Sequence, residues 1–241
     1  MPPIFGRKRE PRDVFDEHMK KADELWKSPS GLKTSECKKI MKHIEKALEI
    51  AGTVEVDQED IVRLWARKGS LFLTVYRRLD DALECYDKAL SIDPGLAKAW
   101  INKGSHLLDM GKPKEAMKCI DTALEINPRY AKAWLNKGVA LEQLGKPGKA
   151  IECCKRALKI NPRYAFAGAT MGAFLLKLDK FEEAMKCIDT ALEINPISAI
   201  AWFYKGMALE GKGRHEEAKR CFNRATYIDP SLQKRIKISS D

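Results

Sequence analysis

The chain has 241 residues, 44% apolar and 32% charged, a composition that excludes wholesale disorder and suits one large domain or two small ones. Its net charge of +10 is uneven, because residues 1–12 carry four basic side chains against one acid and Gln233–Asp241 three against one. Half of the excess thus sits on two short tails, and the mildly basic body between them argues against a dedicated duplex-DNA binder. The longest uncharged run, Tyr164–Leu176, has thirteen residues, short of the ~20 that cross a bilayer. The opening MPPIFGRKREPRD has no apolar stretch of the secretory kind. Seven cysteines without an export signal point to a reducing compartment, so free thiols and a cytoplasmic location are expected.

In chain order, residues 1–12 read as a flexible basic tail. Residues 13–61 then carry two apolar stripes of helical period. Phe15, Met19, Ala22 and Trp26 form the first, and Cys37, Ile40, Ile44, Ala47 and Ala51 the second. The segment SPSGLKT lies between them, Gly52 is placed to stop the second helix, and Asp57 or a neighbour to cap the next. Ala47-Leu48-Glu49-Ile50 echoes Ala123-Leu124-Glu125-Ile126 further on, so this stretch is read as a degenerate N-terminal helical hairpin.

From residue 62 the chain repeats itself. MKCIDTALEINP occurs unchanged at Met117–Pro128 and Met185–Pro196, 68 residues apart, and NPRYA at Asn127–Ala131 and Asn161–Ala165, 34 apart. Trp100, Trp134 and Trp202 obey the same period, with Gly168 in the skipped slot. Gly104, Gly138, Gly172 and Gly206 keep it, as do Pro94, Pro128, Pro162, Pro196 and Pro230. Each repeat reads as two helices. In Ala131–Pro162 the first is apolar at Ala133, Trp134, Leu135, Val139, Ala140, Leu141 and Leu144; Gly145-Lys146-Pro147 breaks the chain; and Ala150, Ile151, Cys154, Ala157 and Leu158 stripe the second, which stops at Asn161-Pro162. Gly138 and Ala150 are small where the two helices approach closely, and Trp134 and Ala157 bury against neighbours.

The Trp-x-x-x-Gly, Ala, Ala, Pro pattern resembles the tetratricopeptide repeat. Gly138 stands at its glycine, Ala150 and Ala157 at its alanines and Pro162 at its proline. Five repeats match: 62–96, 97–130, 131–164, 165–198 and 199–232. The first has one extra residue between Gly69 and Ala82, expected in its inter-helix turn, and Gly168 is expected to loosen the fourth. The resemblance implies an all-α fold, a right-handed superhelical solenoid of about six stacked antiparallel helix pairs, stabilised by neighbour-on-neighbour packing. Residues 233–241 form a short tail or a capping stub, with Leu232 and Ile236 over the last repeat. An end left partly uncovered invites self-association.

The resemblance also implies a concave groove, lined by first helices, that grips an extended peptide or partner helix. Its positions here are Arg63, Arg67 and Ser70; Lys98, Asn102 and Ser105; Lys132, Asn136 and Val139; Phe166, Thr170 and Ala173; Ile200, Tyr204 and Met207. Basic and amide side chains toward the N-terminus suit an acidic segment or a C-terminal carboxylate near Arg63, Arg67, Lys98 and Lys132, and the later positions suit apolar side chains. The carboxylate clamp of chaperone-binding members is matched only in part, since Ala66 and Ser70 replace its first lysine and asparagine.

No catalytic constellation, metal-ligand spacing or cofactor motif is present, so neither an enzyme nor a bound cofactor is expected. Asp80-Asp81, Glu182-Glu183 and Glu216-Glu217 open second helices, where negative charge suits the helix dipole. Cys85, Cys119, Cys153, Cys187 and Cys221 recur every 34 residues, and a spacing of roughly 10 Å between hairpins makes them packing residues rather than a metal ladder or disulfides. The function expected is a non-enzymatic protein-interaction scaffold. RNA binding and homo-oligomeric assembly through the solenoid ends stand as alternatives.

Overall fold

A computed structural model describes residues 10–26, 34–76 and 78–239, and among these every regular element is helical. The chain divides into two compact units, residues 1–106 and 107–241.

The N-terminal unit contains α1 (Pro11–Trp26), α2 (Thr34–Ala51), α3 (Gln58–Leu71), α4 (Leu79–Ile92) and most of α5 (Ala97–Asp109). Helix α1 packs on α2, α2 on α3 and α3 on α4. The two stripes read from the sequence meet here: Phe15, Met19 and Ala22 close on Cys37, Ile40, Ile44 and Ala47, all buried, with Leu64 and Leu71 of α3 completing the core. Helix α1 starts inside the expected basic tail, and Arg12 donates to the Glu55 carbonyl oxygen at 2.8 Å. Residues 1–9 and all of SPSGLKT except Thr34 lie outside the described residues. Helix α2 ends immediately before Gly52. Asp57 occupies the N-cap position of α3, yet its side chain accepts no capping hydrogen bond; its backbone carbonyl instead takes the Asp60 N–H at 3.0 Å.

The extra residue of the first repeat is not in the loop. It widens the end of the first helix into a π-helical turn, Phe72–Tyr76. The reason is packing: a Cβ on Gly69 would stand 3.0 Å from a Tyr86 ring carbon and 3.2 Å from the Ala82 carbonyl oxygen. With the α3–α4 contact that tight, the insertion is absorbed beyond it.

The C-terminal unit holds α6 (Pro113–Ile126), α7 (Ala131–Gln143), α8 (Pro147–Ile160), α9 (Ala165–Leu176), α10 (Phe181–Ile194), α11 (Ala199–Gly211), α12 (His215–Ile228), a 3₁₀ turn at Pro230–Leu232 and α13 (Gln233–Ser239). Each first helix packs on its second, and each second helix on the next first one. Pro113 and Pro147 stand at helix starts, where a missing N–H costs nothing. Ala150, Ala157, Ala167, Ala184, Ala191 and Ala201 are buried where helices meet. Leu232 is buried and Ile236 packs on the last hairpin beside Phe203 and Phe222.

The linkers repeat one geometry. Asn127, Asn161 and Asn195 each accept, through Oδ1, the N–H two residues on, at 3.0, 3.2 and 3.3 Å. The tryptophans are only partly buried, and each indole N–H donates to the proline carbonyl six residues earlier: Trp100 to Pro94, Trp134 to Pro128 and Trp202 to Pro196, at 2.8 to 2.9 Å. Beside them runs a set of ion pairs: Lys103 with Asp87, Lys137 with Asp121 and Lys205 with Asp189, each lysine also 5.5 to 5.8 Å from its indole centroid. At Gly168 the packing opens into a slot of about 250 Å³.

Candidate binding surfaces

The N-terminal unit carries six of the groove positions. Five of them, Arg63, Arg67, Ser70, Lys98 and Asn102, line one open cavity of about 720 Å³, and Ser105 stands outside it, half-buried. Trp26, Val62, Ala66 and Leu96 supply its apolar walls, and Glu59 and Asp93 add acids to its rim. Successive turns of α3 place Arg63, Arg67 and Ser70 on one side, and α5 brings Lys98 and Asn102. The fully buried Tyr86 braces two of these groups. Its hydroxyl lies 3.3 Å from Ser70 Oγ and hydrogen-bonds Asn102, while burial holds its ionisation above the usual phenol range.

The charge of this cavity is more balanced than the sequence implies. Arg67 is ion-paired with Asp23 of α1 and lies 5.4 Å from the Trp26 ring centroid. Arg63 donates to Asp60 Oδ1 at 2.8 Å and stands 3.7 Å from Asp23 Oδ2. Lys98 is exposed and has no ion-pair partner among the described residues. The sequence reading missed Asp23, because the acid belongs to the degenerate hairpin and not to the repeat pattern.

In the C-terminal unit Ala173, Tyr204 and Met207 line a second cavity, of about 460 Å³, with Phe203, Glu142, Lys177 and Arg235. Lys177 pairs with Glu142 there. Arg235 of α13 hydrogen-bonds Tyr204 and lies 5.2 Å from the Phe203 centroid; burial raises the Tyr204 phenol, and the Arg235 charge opposes that rise. Arg235 escaped notice because a short basic tail reads as solvated. The remaining positions line neither cavity. Lys132 is exposed, Val139 and Ile200 are half-buried, and Phe166 is 52% exposed. Thr170 is buried and spends its hydroxyl on the Phe166 carbonyl in its own helix, at 2.8 Å. Asn136 is 8% exposed, and its Nδ2 has no hydrogen-bond partner among the described residues.

The cysteines are not a reactive series. Cys85, Cys119, Cys153 and Cys221 are buried and Cys187 is half-buried. Burial pushes Cys85 up to about 11 and Cys154 to about 12, and holds Cys153, Cys187 and Cys221 above the usual thiol range as well. Among the described residues no three His, Cys, Asp or Glu side chains converge as a metal site, and no helix is long and apolar enough to cross a membrane.

Family models described as tetratricopeptide repeat match residues 97–130, 131–164, 169–198 and 199–232. None of the curated proteins matches by sequence. Among solved structures, PilF of Pseudomonas aeruginosa aligns with a TM-score of 0.69 at 18% identity, covering 95% of this chain and 98% of its own. A thermophilic TPR protein of Thermus thermophilus gives 0.65 at 22% identity, over 76% and 98%. YrrB, described as a TPR protein with an unusual peptide-binding site, gives 0.52 at 23% identity, over 82% and 98%. At these identities the likeness is one of fold.

Proposed function

The chain belongs to the tetratricopeptide-repeat family, and from that premise we propose that it is a non-catalytic interaction scaffold whose N-terminal unit holds an acidic or carboxylate-ended polypeptide segment. The observation that carries this reading is the single cavity of about 720 Å³ on which five of the groove positions converge. Lys98 offers the exposed cation, and Arg63 and Arg67 face the same space while shared with Asp23. Asn102, held by Tyr86, is set to bond a backbone amide of the bound segment. The cavity at Ala173, Tyr204 and Met207 takes an apolar side chain.

A fluorescent peptide of mixed acidic and leucine residues with a free C-terminus tests the reading by anisotropy. A charge-assisted hydrogen bond contributes about 1.5–3 kcal/mol, so Lys98→Glu is expected to weaken binding about tenfold or more. Asp23→Asn releases both arginines and is expected to tighten it severalfold. If Lys98→Glu, Asp23→Asn and the unmodified chain bind alike, the cavity is not the site.

A further inference from the structure

The junction of the third and fourth repeats departs from the other junctions at several linked places. Gly168 occupies the tryptophan position, Met171 the place of Lys103, Lys137 and Lys205, and Lys155 the place of Asp87, Asp121 and Asp189. The indole, its overlying cation and the paired carboxylate are thus all absent where the third repeat meets the fourth, while the backbone around them is kept. Tyr164 N–H donates to Asn161 O at 3.1 Å, as Tyr130 does to Asn127 (3.3 Å) and Ser198 to Asn195 (3.2 Å). The Arg163 N–H, in the same peptide unit as the Pro162 carbonyl, donates to Asn161 Oδ1 at 3.2 Å, as those of Arg129 and Ile197 do to Asn127 and Asn195. This matching peptide orientation is the one in which Pro128 and Pro196 each accept an indole N–H at 2.9 Å.

The slot is a binding-sized space. It measures about 250 Å³ and is walled by Leu158, Tyr164, Gly168, Met171, Cys187 and Ala191 among others. Apolar cavities of about 150 Å³ take up a benzene-sized ring, so a bicyclic ring fits. A Cβ built on Gly168 would lie 3.5 Å from both Ala191 Cβ and the Cys187 carbonyl oxygen, ordinary contact, whereas one on Gly172 would press on Ile188 at 2.5 Å. Gly168 is therefore not glycine because two helices cross too closely there. Met171 replaces a lysine with a polarisable thioether on the wall, a good neighbour for an aromatic ring. None of the fifteen groove positions borders this slot.

We propose that the slot at Gly168 is a second binding site, which receives in trans a tryptophan side chain from a partner polypeptide. The ring takes the place that Trp100, Trp134 and Trp202 fill in cis, and its N–H donates to the Pro162 carbonyl. This site is independent of the peptide-binding reading above, and the two fail separately, since Lys98→Glu leaves the slot untouched.

The test is a titration of the full chain, carrying ¹³C-methyl methionine, with N-acetyl-tryptophanamide. A ring stacked at Met171 shifts that methyl resonance upfield, and the shift is expected to saturate. Gly168→Trp fills the slot from within and is expected to abolish the response; Gly168→Leu serves the same end should the larger side chain disturb folding, with circular dichroism reporting the helix content of both. The 1-methyl-indole analogue cannot donate to Pro162, and loss of one hydrogen bond of about 1 kcal/mol predicts binding weaker by about fivefold. A Met171 response that never saturates, or one that persists in both filled variants, overturns the site. Equal binding by the methylated ring overturns the role of Pro162. Saturation by free indole but not by N-acetyl-tryptophanamide overturns the polypeptide as its source.

Discussion

Gly111, Gly145, Asp179 and Gly213 stand 34 residues apart in the turns between paired helices, and all four adopt a positive φ, from 55° to 72°. Three are glycine, for which that conformation is free of Cβ strain; Asp179 must hold a side chain there. Aspartate tolerates the left-handed region better than most residues, but it still carries a penalty that glycine does not. Asp179→Gly is therefore expected to stabilise the C-terminal unit by about 0.5–1 kcal/mol, after the greater freedom of glycine in the unfolded chain is set against the relief. Chemical denaturation followed by circular dichroism measures it, and a lowered midpoint at unchanged slope would show that the Asp179 side chain contributes something the turn geometry does not reveal.

Between elements, the N-terminal hairpin contains a contact that titrates. His18 on α1 and His43 on α2 meet with Nδ1 atoms 2.7 Å apart and ring centroids 5.0 Å apart. One ring donates and the other accepts, so both cannot be charged. Burial lowers both pKa values below 6.5; Lys21 and Lys42 lower them further and Glu17 opposes. A histidine with a lowered pKa in the folded state binds fewer protons there than when unfolded. Its stabilising effect is therefore complete above about pH 6.5 and is lost as the pH falls through the folded values. Hydrogen exchange at amides of α1 and α2 is expected to quicken from pH 7 to pH 5, corrected for intrinsic rate, more than at amides of α10, and His43→Gln is expected to flatten that difference. Equal acid sensitivity of the two regions would refute the pair as its cause. The hairpin itself was legible in the sequence, because Phe15, Met19, Ala22, Ile40 and Ile44 obey a local helical period. The histidine contact was not, since residues 25 apart on two helices meet only through the register of their packing. The π-turn at Phe72–Tyr76 was half legible: the sequence counted the extra residue, and the crowding of Gly69 against Tyr86 decided where it went. Arg63, Arg67 and Ser70 were legible as one face of α3, but Asp23 beside Arg63 and Arg67, and Arg235 beside Tyr204, come from segments outside the repeat, where periodicity says nothing about who meets whom.

For the whole molecule, the net charge of +10 raises the question of nucleic acid. Much of the positive charge in the repeats is already spoken for. Lys103, Lys137 and Lys205 face aspartates, Lys177 and Lys212 face Glu142 and Glu182, and Arg78 and Arg214 hold Asp81 and Glu217 through paired hydrogen bonds of 2.7 to 2.8 Å. A phosphate backbone would have to displace these carboxylates before it released counterions. Base stacking fares no better, because Phe166 alone among the aromatic groove positions is exposed and Tyr204 is tied to Arg235. Single-stranded RNA should therefore bind no more tightly than the non-specific range, with Kd of about 10⁻⁶ M or weaker at physiological salt, and steeply weaker as salt rises. Filter binding of a random RNA pool at low and physiological salt measures this directly. Tight binding that survives physiological salt and disappears when Arg63, Arg67 and Lys132 are changed to Ala would revive RNA binding as the function. Binding that fades with salt and ignores those three substitutions leaves the charge as the solvated coat of a protein-interaction scaffold.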